Sequence, residues 1–123
     1  MASYCGLRHP EVFGNVLSQD GAYGVWEGYP QVSTHALETE TGWLTHRFAT
    51  TPKLPLRFYL EVGRLEQSFN ADYPLENRRL RDVLEAKGYP VTYEEINGSH
   101  DPLNWRSTLA HGLIALGGPP LSP

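Results

Sequence analysis

From Leu56 onward the chain alternates between two hydrophobic periods, and no other feature of the sequence restricts the fold as much. Leu56 to Val62 (LRFYLEV) follows a proline, is rich in apolar and aromatic residues and stops at Gly63, which reads as a strand. Pro74 then stands in a first-turn position. Leu80, Val83, Leu84 and the Lys87 stem recur at i, i+3, i+4 and i+7 before Gly88 and Pro90 end the run, the pattern of a helix. Val91 to Ile96 (VTYEEI) begins by alternating apolar and polar residues, as an edge strand does. Asp101 is placed to cap a last helix with Pro102 in its first turn, and Trp105, Leu109, Leu113 and Leu116 are its expected apolar face.

The first half is punctuated more densely. Met1 to His9 reads as the end of a helix stopped by Pro10, and Val12 to Ser18 (VFGNVLS) as a short buried strand. Asp20 to about Thr41 is irregular, and a loop of that length in a compact domain commonly serves function or covers a site. Gly42 to Thr50 suits a short helix. Strands alternating with helices imply an α/β fold of about three parallel strands joined by right-handed crossovers. In such sheets ligand chemistry gathers at the carboxyl ends of the strands. Asp20 follows the first strand, Glu66 the second, and His100 lies in the loop NGSHD after the third. Neighbouring strands would bring these three side chains to one rim.

Composition removes several alternatives. The 123 residues make one domain, expected over residues 1–117 with 118–123 as a flexible tail. Ten Lys and Arg against fourteen Asp and Glu give a net charge of −4, which argues against partners that are nucleic acids or anionic membranes. The single cysteine, Cys5, cannot form an internal disulfide. No apolar run approaches the roughly 18 residues of a membrane span. The start, MASYCGLRHP, lacks the apolar stretch of a signal peptide, so the expected location is cytoplasmic.

Three long stretches carry a family resemblance: LRHPEVFGNVLSQDGAY, GWLTHRFATTPKLPLRFYLEVGRLE and NRRLRDVLEAKGYPVTYEEINGSHDPLNWRSTLAHGLIAL. Together, over about residues 2–117, they resemble the C-terminal part of the enterochelin-esterase family, serine hydrolases of the α/β-hydrolase fold related to the esterase D group. The resemblance implies a truncated α/β-hydrolase whose strands are the last three of the parent sheet. It implies that His100 matches the catalytic histidine, general base and acid of a Ser–His–acid arrangement, and that Glu66 matches the orienting acid. It also implies a departure. The nucleophile elbow G-x-S-x-G occurs nowhere in these 123 residues. In the family it would fall just before the position of Met1, and the strands of the elbow and oxyanion hole are expected to be missing with it.

The chain reads LSQDG where the family commonly reads LSQSG, so Asp20 adds a carboxylate near Glu66 and His100. One imidazole and two carboxylates suit a divalent metal such as zinc, manganese or calcium, which would activate water in place of the lost serine. His35 and His46 are further candidate ligands. Against this stands the plainer reading of Asp20 as a turn residue before Gly21. The expected function is hydrolysis of small carboxylic or phosphoric esters by activated water. Alternatives are a metal-free esterase using His100 with a substitute nucleophile, and a non-catalytic fragment or oligomerisation module. Siderophore specificity is not carried over, because the family's pocket needs the absent half.

Other residues carry quieter expectations. Tyr23 and Trp26 are candidates for substrate contact, whereas Trp43 and Trp105 are expected in the core. Asp101 reads as a helix cap, Cys5 as a small core residue and Ser18 as a poor nucleophile. His9 is expected to be structural and His111 solvent-facing. Loss of half the sheet leaves the strand Val12–Ser18 with a bare apolar edge, so a homodimer or higher oligomer is expected.

Overall fold

The computed structural model describes residues 1–24, 42–68 and 71–118. Its elements, in chain order, are α1 (Ala2–Arg8), β1 (Asn15–Gln19), α2 (Trp43–Thr50), β2 (Arg57–Gly63), β3 (Gln67–Ser68), β4 (Ala71–Asp72), α3 (Tyr73–Ala86), β5 (Val91–Ile96) and α4 (Pro102–Gly117). Three strands form a parallel sheet in the order β1-β2-β5, with Leu17 beside Tyr59 and Tyr59 beside Thr92. The alternation of periods therefore produced the architecture it implied. The two-residue strands β3 and β4 pair antiparallel and were not anticipated, being too short to show any period.

β2 is buried from Phe58 to Gly63 because both of its faces are covered. On one face Phe58 and Leu60 join Val16, Phe48, Leu56, Leu80, Leu84 and Tyr89 in the main core. Phe48, Phe58 and Tyr89 meet edge to face, with ring centroids 5.4 to 6.3 Å apart. Each fully buried Leu or Phe here is worth about 1.5–3 kcal/mol. α3 brings Leu80 and Leu84 to this core as its period required. It starts on the Asp72 side chain, which accepts the Leu75 N–H, and Gly88 beyond its end takes the left-handed φ of 77°. Lys87 Nζ ties the end of α3 to the Ala49 and Thr51 carbonyls at the end of α2.

The opposite face of β2 carries Tyr59 and Glu61 and is covered by α4. Here the expected apolar stripe is corrected. Gly112 and Leu116 are buried, but Leu109 is 41% and Leu113 57% exposed. The helix approaches so closely that a Cβ on Gly112 would lie 2.7 Å from Leu17 Cδ1. Its contact line runs through Trp105, Thr108, Gly112 and Leu116, because the sheet face beneath is partly polar. Hydrophobicity alone selected the neighbouring stripe.

The first strand also begins later than expected. Val12 and Phe13 are exposed in a turn whose N–H groups donate to the His9 carbonyl, and the strand starts at Asn15. The Arg57 N–H donates to Gly14 O and the Asp20 N–H to Glu61 O, so residues 14, 16, 18 and 20 turn their backbone groups toward β2. Asn15, Leu17 and Gln19 consequently point theirs away from it, and β1 is an edge among the described strands. No helix among the described residues is long and apolar enough to cross a membrane.

Candidate functional site

Three chain segments converge at the carboxyl end of the sheet. Asp20 follows β1 directly, in a left-handed conformation with φ of 51° that Asp tolerates better than most residues. Its side chain is turned inward and buried. Its Oδ1 accepts the Gly63 N–H at 2.7 Å and its Oδ2 the Trp105 indole N–H at 2.5 Å. The carboxylate thus clasps the ends of β1 and β2 to the first turn of α4.

Glu66 lies three residues beyond β2 in a turn closed by its N–H on the Gly63 carbonyl. Its side chain is buried, and Oε1 is hydrogen-bonded to His100 Nδ1. Oε2 has no hydrogen-bond partner among the described residues. Burial, and next the nearby Asp20 carboxylate, push the Glu66 carboxyl up to about 8.

The loop carrying His100 is held from below. Arg64 N–H donates to Ile96 O, Leu65 N–H to Gly98 O, and Asn104 Nδ2 to Ser99 O. Gly63 permits this approach, since a Cβ there would collide with the Gly98 backbone. Asp101 caps α4 as expected, accepting the Leu103 N–H at 2.7 Å. The His100 side chain stays 55% exposed, and its ring has Tyr73 (6.0 Å) and Trp105 (4.8 Å, interplanar angle 86°) as aromatic neighbours.

Asp20, Glu66 and His100 each offer one ligand atom, and these atoms lie within 4.8 Å of one another. The set has the chemistry of a divalent-cation site. With Nδ1 engaged by Glu66, it also has the chemistry of a histidine–carboxylate base whose Nε2 is the nitrogen open to a reactant. The rim inferred from the strand ends is therefore present.

The other candidates fall elsewhere. Tyr23, expected to contact substrate, is buried in the core, where its hydroxyl donates to Ser18 Oγ (2.6 Å) and meets Ser3 Oγ (2.7 Å); burial pushes its pKa up. A tyrosine beside two core serines satisfies its hydroxyl without reaching the rim. His46 is exposed on α2 and stands outside the three-residue cluster. Trp26 and His35 lie outside the described residues. His9 is exposed and paired with Glu11, His111 is exposed on α4, and Cys5 is half-buried on α1. Trp43 packs against the core as expected. Trp105 does not: it belongs to the rim, because its indole N–H finds the Asp20 carboxylate. The one available signal was its place one turn after the Asp101 cap, which sets it above the loop holding His100.

Comparison with known proteins identifies the family. The Esterase family model ("Putative esterase") matches residues 1–116. The chain is 34% identical over 117 residues to the iron(III) enterobactin esterase of Dickeya dadantii (strain 3937), covering 91% of this chain and 26% of that protein. It is 33% identical over 121 residues to the Escherichia coli K12 protein of the same name, covering 94% and 26%. Among solved structures, the enterochelin esterase from Shigella flexneri superimposes with a TM-score of 0.72 at 32% identity, over 94% of this chain and 27% of that one. The chain thus spans about a quarter of the length of the relatives it matches.

Proposed function

The chain belongs to the Esterase family, and from that premise we propose that it hydrolyses small carboxylic or phosphoric esters with the Glu66–His100 pair as general base. The observation carrying this reading is the bond between His100 Nδ1 and the buried Glu66 carboxyl. Ionised Glu66 would hold Nδ1–H and orient the ring. Nε2 would then take a proton from the attacking water as its oxygen bonds to the ester carbon or phosphorus, and return it to the leaving alkoxide. In this reading the nucleophile is a water molecule activated by Nε2. The relatives are named for enterobactin, but a chain matching 26% of their length supports only small esters as a class.

A second reading places a divalent metal on Asp20, Glu66 and His100, favoured by their mutual distances and by the unpartnered Glu66 Oε2. The base reading stands first because Nδ1 is already bonded to Glu66 and both Asp20 oxygens already accept N–H donors.

The test is hydrolysis of nitrophenyl acetate, butyrate and phosphate by wild type, His100→Ala and Glu66→Gln, each with and without EDTA. The base reading predicts EDTA-indifferent hydrolysis that both substitutions reduce about 100-fold or more. Activity that EDTA removes and zinc, manganese or calcium restores would establish the metal reading instead. No hydrolysis in any lane would overturn both.

A further inference from the structure

Two consecutive residues at the end of β1 grip Trp105 at two points. Gln19 Nε2 donates to the Trp105 backbone carbonyl at 2.9 Å and to Thr108 Oγ1 at 2.9 Å, while Asp20 Oδ2 accepts the indole N–H at 2.5 Å. Because Asp20 Oδ1 also accepts the Gly63 N–H, the grip is anchored in β2 as well as β1. The gripped ring then meets the His100 imidazole edge to face, at 4.8 Å and 86°.

His100 needs such a contact. A hydrogen bond at Nδ1 fixes one atom of the imidazole but not the plane of the ring, and a side chain 55% exposed is not confined by packing in a core. Swinging about the Nδ1···Oε1 direction would move Nε2 away from a reactant while leaving the Glu66 bond intact. Trp105 stands on one side of the ring and Tyr73 is a second aromatic neighbour, at 6.0 Å. The position of Trp105 is set from two ends, by Gln19 at its carbonyl and by Asp20 at its indole N–H.

We propose that Trp105 is a positioning residue, through which the Gln19–Asp20 end of β1 sets the ring plane of His100. It deepens the base reading given above and rests on it for its kinetic consequence, but the ring plane can be observed without any reaction. Misplacement of a reacting group by about 1 Å can cost on the order of 100-fold in rate. Loss of one of the contacts on a ring still held at Nδ1 should cost less, about tenfold.

The experiment uses the full chain as wild type, Trp105→Phe and Gln19→Leu. Trp105→Phe keeps an aromatic ring but removes the N–H that Asp20 holds. The imidazole nitrogen signals are recorded by long-range proton–nitrogen correlation, with those of His100 identified by their loss in His100→Ala. In Trp105→Phe the His100 signals should move while those of His9 and His111 stay in place. On nitrophenyl butyrate, kcat should fall about tenfold with KM changed less than about twofold. Gln19→Leu, which leaves the indole intact, should move the same signals by a smaller amount. Unmoved His100 signals in a folded Trp105→Phe protein overturn the proposal, whatever kcat does. If Trp105→Phe does not fold, Gln19→Leu decides by the same criterion. If the wild type hydrolyses nothing, the base reading fails while the imidazole signals still settle the role of Trp105.

Discussion

Thr108 on α4 donates its hydroxyl to Glu61 on β2 at 2.7 Å, joining a helix to a strand through a carboxylate that is 1% exposed. Glu61 also receives the Tyr59 hydroxyl at 3.1 Å and Gln19 Nε2 at 3.3 Å, and it has no ion-pair partner among the described residues. Such a group depends on its donors, since a buried acceptor left unsatisfied costs about 1–3 kcal/mol. Thr108→Val keeps the shape and removes the donor. Urea unfolding should show a loss of about that size, and Thr108→Ser should recover most of it. A Thr108→Val protein as stable as wild type would show that the hydroxyl contributes nothing.

Gly63 brings β2 and the His100 loop together. A methyl group there has no free space, because the obstacle is the Gly98 backbone and not a flexible side chain. Gly63→Ala should therefore cost about 1–3 kcal/mol, the usual range for overpacking. It should also lower ester hydrolysis more than Gly14→Ala, whose added Cβ would meet only the Pro55 carbonyl, at 3.8 Å. Equal effects of the two substitutions on hydrolysis would separate the site from this contact.

Burial and Asp20 raise the Glu66 carboxyl from 4.5 to about 8, and the consequences for activity and stability run in opposite directions. As an acceptor of Nδ1–H, Glu66 must be ionised, so kcat/KM should climb as pH rises toward about 8, and this limb should be absent from Glu66→Gln. For stability, a raised folded-state pKa means that the native chain binds the proton more tightly than the unfolded one. That contribution is complete below about 4.5 and is lost as pH rises through about 8. Unfolding free energies of wild type relative to Glu66→Gln, measured from pH 4 to 9, should fall across this window. A flat difference would contradict the assignment.

Glu95 gives the opposite sign on the acid side. Arg78 binds it through two hydrogen bonds of 2.6 and 2.9 Å, and together with the Tyr93 hydroxyl this holds its carboxyl down at about 2. The stabilisation is present above about 4.5 and disappears as pH falls through about 2. Arg78 is nearly half exposed, so solvent screening limits the gain to about 1 kcal/mol or less. Unfolding free energies of Glu95→Gln should therefore converge on those of wild type only as pH falls to about 2, and separate from them toward neutrality.

Much of this site was legible beforehand because it hangs on strand ends. Once Leu56–Val62 and Val91–Ile96 read as strands, Glu66 and His100 had to lie beyond their carboxyl ends. The resemblance assigned those two residues a shared chemistry, and the structure joins them by a hydrogen bond. Tyr23 could not be placed in the same way. An aromatic residue in an irregular segment gives no sign of whether its hydroxyl will meet Ser3 and Ser18 or a ligand.

The sequence by itself determined the longer elements, their order and the parallel sheet, though not the two-residue strands β3 and β4, since side-chain period, proline and glycine punctuation and capping act within a few residues. It also determined the family, because long ordered stretches of residues carry the resemblance. Only the tertiary structure decided which stripe of α4 meets the sheet, and that Trp105 turns to Asp20 instead of the core. The Asp20–Trp105 bond joins residues 85 positions apart. Such a contact forms only when the folded backbone brings both groups out of water together, and no local pattern records it.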